Sequence, residues 1–206
     1  MTWSPGPPAG RTAMSEQPDS STGATPAAAT GPRGRSRARL LLVLATVVLA
    51  LDLATKLVVV ATLSDREPLR LLGGALYLTE ARNTGAAFSF AEGATVVFSL
   101  IALAVVVVIV RSARRMYSTA WAVTLGLVLG GALGNLIDRV FRDPGFLQGG
   151  VVDFISVFDP YGRVFPIFNI ADSAIVCGGV LGVLLAFRGI EFDGSRSSDR
   201  PDAVTG

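Results

Sequence analysis

Two aspartates with no obvious cation beside them, Asp153 and Asp172, carry the chemistry that this sequence leaves open. Asp153 follows Gly149-Gly150-Val151-Val152 and precedes Phe154, so it sits in a hydrophobic stretch. Asp172 lies in Phe165-Pro166-Ile167-Phe168-Asn169-Ile170-Ala171-Asp172-Ser173, with Asn169 three residues before it on the same helix face. A buried, unpaired aspartate has a raised pKa, and two of them close together share one proton. One carboxylate can then take a proton from water while the other, protonated, polarises a peptide carbonyl. That arrangement needs no metal, cysteine or histidine, so no cofactor is expected.

Composition removes the competing chemistries. Histidine is absent, which excludes imidazole bases and His-metal sites. The single cysteine, Cys177, excludes an intramolecular disulfide framework and a Cys-rich zinc site. A net charge of +2 is too small to suggest nucleic acid as a partner. Of the 206 residues, 50% are hydrophobic and 17% charged. Soluble domains carry about 25% charged residues. A small integral membrane protein fits.

Four apolar stretches must position the aspartates: Leu40 to Leu63, Ala94 to Val110, about Ser118 to Ile137, and about Ile167 to Phe187. A spanning helix needs ~20 mostly apolar residues, and all four qualify. The first run follows a basic cluster, Arg33, Arg35, Arg37 and Arg39, as a signal peptide would, but it is too long for the apolar part of one. Residues 1–39, rich in Pro, Gly, Ser and Thr, read as a disordered tail, as does the 189–206 segment. Arginines cluster at Arg33 to Arg39 and again at Arg111, Arg114 and Arg115, which places both termini inside and the 64–93 and 138–166 loops outside. In the first loop, Leu69 to Thr79 with its Gly73-Gly74 break suggests two short strands around a turn. Gly85 to Phe90 is apolar enough to lie at the membrane surface.

Other polar residues also fall inside or beside the spans, where each is a functional hypothesis by default. Asp52 and Lys56 stand at i and i+4 and can neutralise one another. Lys56 lies ~24 Å along its helix, near enough to the outer surface to snorkel. Gly126, Gly130 and Gly134 recur at every fourth position, a spacing that permits close helix contact. Asn135, Asp138 and Arg139 follow at the outer end of the third span, where a hydrogen-bonded cluster is expected and Asp138 reads as an ion-pair partner of Arg139.

Five blocks in order resemble the lipoprotein signal peptidase (signal peptidase II) family, bacterial membrane aspartyl proteases that remove signal peptides from lipidated prolipoproteins. They are Asp52-Leu53-Ala54-Thr55-Lys56; Asn83-Thr84-Gly85-Ala86-Ala87-Phe88-Ser89; Gly130 to Arg139; Val151-Val152-Asp153-Phe154; and Phe168-Asn169-Ile170-Ala171-Asp172-Ser173. The resemblance covers about residues 40 to 188. It implies an all-α membrane protein, a four-transmembrane-helix bundle with a small extracytoplasmic β-cradle, for which Leu69 to Thr79 is a reasonable place. It implies a catalytic pair at Asp153 and Asp172. Support or substrate-contact roles fall on Asp52, Lys56, Asn83, Gly85, Gly130, Asn135, Asp138, Arg139, Asn169 and Ala171. The implied substrate is a prolipoprotein cut before its diacylglyceryl-modified cysteine. The implied setting is the bacterial cytoplasmic membrane, with phospholipid around a monomer and the active site on the extracytoplasmic side. The 13 residues Val140 to Val152 make a longer link than many relatives have, with Arg142-Asp143-Pro144-Gly145 as an inserted turn.

Two other functions compete. A proton-coupled transporter would use Asp52, Asp138 and Asp172 as relay groups, yet the second span and the inner half of the fourth carry no charge. A Ser-Lys peptidase would pair Lys56 with Ser89 or Ser173.

Overall fold

The computed structural model describes residues 1–4, 6, 36–85 and 94–196. Most of the 1–39 tail, and residues 86–90 of the surface-lying stretch, fall outside the described residues. Among the described residues, four helices are long and apolar enough to cross a membrane: α1 (Ala38–Leu63), α2 (Ala94–Ala113), α3 (Thr119–Phe141) and α4 (Ile170–Phe187). Three strands among the described residues, β1 (Leu69–Leu71), β2 (Leu76–Asn83) and β3 (Val151–Val157), form an antiparallel sheet in the order β1-β2-β3. The fold is the expected four-helix membrane bundle with a small sheet.

Helix α3 is the central element, packed against α1, α2 and α4. Its small residues make that possible. A Cβ at Gly126 would stand 3.0 Å from the Leu41 carbonyl oxygen, and one at Gly130 2.7 Å from that of Ala45, both on α1. Gly131 faces α4, where a Cβ would collide with the Ala171 carbonyl oxygen. Without a hydrophobic force between helices in lipid, such close backbone approach is what dispersion packing requires. Gly130 is therefore a packing position against Ala45 and Val48. An apolar cluster of Leu41, Ala45, Ile109, Met116 and Leu129 holds α1, α2 and α3 together.

The sheet sits on the other end of the bundle through Val59, Val152 and Phe154, with Leu78 and Ile170 packed beside them. Its two-strand hairpin turns at Leu72–Gly74, where Gly73 has φ 68° and Gly74 φ 101°, values glycine adopts freely. Strand β3 pairs with β2 in the register Ala81 to Asp153 and Asn83 to Val151.

Helix α4 starts later than the apolar run suggests. Residue Phe168 bridges to Ile155: its carbonyl accepts from Phe154 N at 3.1 Å and Ile155 N at 2.8 Å, and its own N–H donates to Ile155 O at 3.0 Å. Phe168 is thus held beside β3, and Asn169 becomes the N-cap. Asp172 consequently stands in the first turn of α4. At the opposite end, residues 189–196 make ordered contacts with the start of α3. The Trp121 indole donates to Ile190 O at 2.7 Å, and Tyr117 N and Ser118 N each donate to Phe192 O at 3.0 Å. Residues 197–206 lie outside the described residues.

Candidate active site

The C-terminal halves of α1 and α3, the start of α4, and strands β2 and β3 converge at one end of the bundle. Each brings polar side chains to a common centre. Lys56, fully buried, is the hub: its Nζ lies 2.7 Å from Asp52 Oδ2, 2.8 Å from Asp138 Oδ2 and 3.1 Å from Asn135 Oδ1. The sequence suggested a snorkelling lysine; it turns inward because two buried carboxylates wait there, and an unpaired buried charge would cost far more than exposure. Asp52 spends its other oxygen on the Ala171 backbone N–H at 2.9 Å, pinning α4 to α1.

Asp138 does not form the expected ion pair with Arg139. Neighbouring residues on a helix point ~100° apart, whereas i and i+4 share a face. Asp138 accordingly pairs with Lys56 and with Arg142, and also accepts the Val152 N–H at 3.2 Å, which ties β3 to α3. Arg139 lies within electrostatic reach of Asp172, Asp153 and Asp138, and its buried Nε has no hydrogen-bond partner. Asn135 likewise bonds elsewhere than foreseen: to Lys56, Asn169 and Asp172 rather than to Asp138 and Arg139.

These contacts fix the surroundings of the two aspartates. Asn135 Oδ1 accepts from Lys56 and, at 3.1 Å, from Asn169 Nδ2, so its amide nitrogen is turned to Asp172 Oδ1 at 2.7 Å. Asn169 and Asp172 form a capping box: Asn169 Oδ1 accepts from Asp172 N at 2.9 Å, and Asp172 Oδ2 accepts from Asn169 N at 3.2 Å. The Asn169 side chain also donates to Asp153 Oδ1 at 2.7 Å. Asn83 supplies the last donor, to Asp153 Oδ2 at 2.9 Å, and its own oxygen is held by Gly85 N at 2.9 Å. Gly85 has φ 83°, which a side chain would strain. All four carboxylate oxygens of the pair thus accept hydrogen bonds from asparagine N–H groups.

Asp153 is 1% exposed, and burial first, then the charge of Asp172, raises its pKa to about 7; the Asn83 and Asn169 hydrogen bonds pull the other way. Asp172 is more open and lines a groove of about 530 Å³. The groove is walled by Asn83, Phe165, Phe168, Val176 and Cys177 and runs down the outside of α4. A buried carboxyl poised near neutrality beside a second one, at the mouth of an apolar groove, can exchange a proton with a water while accommodating a hydrophobic chain.

Every site residue named from the sequence except Gly130 belongs to this network or lies within electrostatic reach of it. Sequence reasoning missed Arg142, whose i+4 spacing from Asp138 was the available signal, and it missed that Asp153 belongs to a strand paired with β2.

The signal peptidase (SPase) II family model matches residues 44–188. Lipoprotein signal peptidase of Streptomyces coelicolor is 50% identical over 167 residues, covering 81% of this chain and 79% of that protein. The protein of the same description from Mycobacterium tuberculosis is 48% identical over 170 residues, covering 82% of each. Among solved structures, one described as a bacterial membrane enzyme superposes with a TM-score of 0.63 at 32% identity, covering 73% of this chain and 94% of that one.

Proposed function

The chain belongs to the signal peptidase II family, and from that premise we propose that Asp153 and Asp172 form the water-activating dyad of an aspartic endopeptidase. The family makes the chain a bacterial membrane protease acting on lipoprotein signal peptides. The observation that carries the finer reading is Asn169, which donates to Asp153 through its side chain and to Asp172 through its backbone, and so gathers both carboxylates into one site.

At neutral pH the pair holds one proton. The ionised member accepts a proton from a water as that water attacks the scissile carbonyl, while the protonated member donates to the developing oxyanion. The tetrahedral intermediate collapses as the leaving amine takes a proton back from the dyad. Lys56, Asp52 and Asp138 do not touch the reacting atoms in this scheme. They hold Asn135, α4 and β3 where the dyad needs them.

The substrate is a prolipoprotein cut just before its diacylglyceryl-modified cysteine. The apolar groove beside Asp172 suits a membrane-held chain, and anchoring in the bilayer supplies much of the orientation that the reaction requires. Arg37, Arg39, Arg111, Arg114 and Arg115, at the end of the bundle away from the dyad, support a topology with both termini in the cytoplasm and the dyad on the extracytoplasmic side. The relay-transporter reading loses force, because Asp52 and Asp138 are both engaged by Lys56.

The test is incubation of the purified protein in bilayers with a lipidated prolipoprotein, followed by mass spectrometry of the products. The expected product begins at the lipid-bearing cysteine. Equal cleavage of the unlipidated precursor would contradict the proposed substrate.

A further inference from the structure

We propose that the far end of the sheet is a membrane-interface anchor, with Leu72 of the hairpin turn and Phe158, Tyr161 and Val164 of the β3–α4 loop entering the headgroup and upper acyl layer of the bilayer that the helices cross. These four side chains are between 61% and 79% exposed. Leu72 and Phe158 stand at one end of the sheet, and Tyr161 and Val164 follow Phe158 in the same loop. The register row Leu71, Leu76 and Val157 closes the sheet, and Phe158 N donates to Ala75 O at 3.1 Å, so Leu72 and Phe158 stand just beyond the same edge. Lone exposed apolar residues need no explanation, but four of them on one turn and one loop, two of them aromatic, do.

The backbone is arranged to present them. Leu72 has φ 48° and Phe158 φ 64°, a left-handed conformation that is a genuine outlier for bulky side chains and is kept where function requires it. Part of the loop's polar backbone is meanwhile satisfied internally, around the exposed carboxylate of Asp159. Asp159 Oδ2 accepts from Tyr161 N at 2.8 Å and Arg163 N at 2.9 Å, and Ser156 Oγ donates to Asp159 O at 2.5 Å. A loop that enters lipid must close its own hydrogen bonds in this way.

Charge and reach identify lipid as the occupant. Arg163 lies over the Tyr161 ring at 5.3 Å, and Arg70 is folded back on the Gly73 carbonyl at 2.7 Å, so cations flank the apolar surface. Aromatic side chains beside arginines are the composition of the membrane boundary, where phosphates lie next to acyl chains. Val164 stands six residues before the first residue of α4, a distance of at most ~20 Å even when extended. Anchoring there sets the depth of Asp153 on β3 and of Phe165 at the groove wall.

The inference rests on the membrane-spanning fold and not on peptidase chemistry, so its test reads no activity. In a Cys177→Ser background, Phe158→Cys and Val164→Cys would each carry a nitroxide, with the full chain in discs of phosphatidylethanolamine and phosphatidylglycerol. Val180→Cys, on the exposed face of α4, gives the reference for hydrocarbon, and free label gives that for water. The expected result is a nickel-chelate collision rate several-fold below that of free label, with oxygen collisions retained. Nickel-chelate access equal to free label would overturn the proposal. So would exclusion of both quenchers, which would mean that a second copy or another protein covers the surface. Should the cysteine variants not fold, Val164→Trp in a Trp3→Phe, Trp121→Phe background, quenched by lipids brominated near the headgroup, gives the same answer, and absence of quenching there overturns it.

Discussion

The Lys56 ammonium holds the oxygen of Asn135 at 3.1 Å, and that contact decides which end of the Asn135 amide faces Asp172. A side chain 79 positions from Asn135 in sequence thus sets the hydrogen bonding of the candidate dyad. Replacing Lys56 with Met keeps its length but leaves Asp52 buried without its cation and Asp138 with Arg142 alone. Breaking a buried pair in this way costs about 3–5 kcal/mol. Thermal unfolding in detergent should show the loss, and cleavage should fall with it. A variant as stable as the parent would refute the hub role.

The helix contacts lead to a paired test. Gly131→Ala would drive a methyl into the Ala171 carbonyl and push α4 away from α3. The cost expected for overpacking is about 1–3 kcal/mol. Gly179, on the same α4, has open space around its Cβ position, so Gly179→Ala should change stability by no more than about 0.5 kcal/mol. Equal effects at the two sites, read from unfolding midpoints, would mean that the close approach is not what holds these helices.

Much of this arrangement was legible in the sequence. The four spans follow from hydropathy and length, and the Asp52–Lys56 pair follows from its i, i+4 spacing. What was not legible depends on contacts between distant segments. Helix arithmetic gives the depth of Lys56 but not the carboxylate that α3 turns toward it, so a buried lysine reads as a snorkelling one. Adjacency in sequence suggested Asp138 with Arg139, while helical geometry pairs Asp138 with Arg142. The extended edge at Phe168 was hidden in an apolar run because pairing with Ile155, not composition, ends the strand-like segment and begins α4 at Ile170.

Burial of Asp153 also has a consequence for stability. Its folded pKa of about 7 lies above the ordinary value of 3.8, so the folded state binds the proton more tightly than the unfolded state does. Stability should therefore be greatest below about pH 4 as far as this group is concerned, fall as pH rises toward 7, and level off above it. The full span corresponds to roughly 4 kcal/mol at most. In Asp153→Asn that dependence disappears, so the variant should gain on the parent between pH 5 and pH 8 in thermal unfolding. A constant difference across that range would show that Asp153 does not bind its proton unusually tightly.

The dyad itself is tested most directly by cleavage of a lipidated prolipoprotein in bilayers by Asp153→Asn, Asp172→Asn and the double variant. Each asparagine keeps the shape of the side chain and removes one ionisable group. If the two carboxylates act as one unit, each single change lowers kcat by on the order of 10³-fold or more. The double change is then hardly worse, because the losses are not additive. Substantial turnover by either single variant, or a double variant whose loss is the product of the two single ones, would contradict a shared-proton dyad.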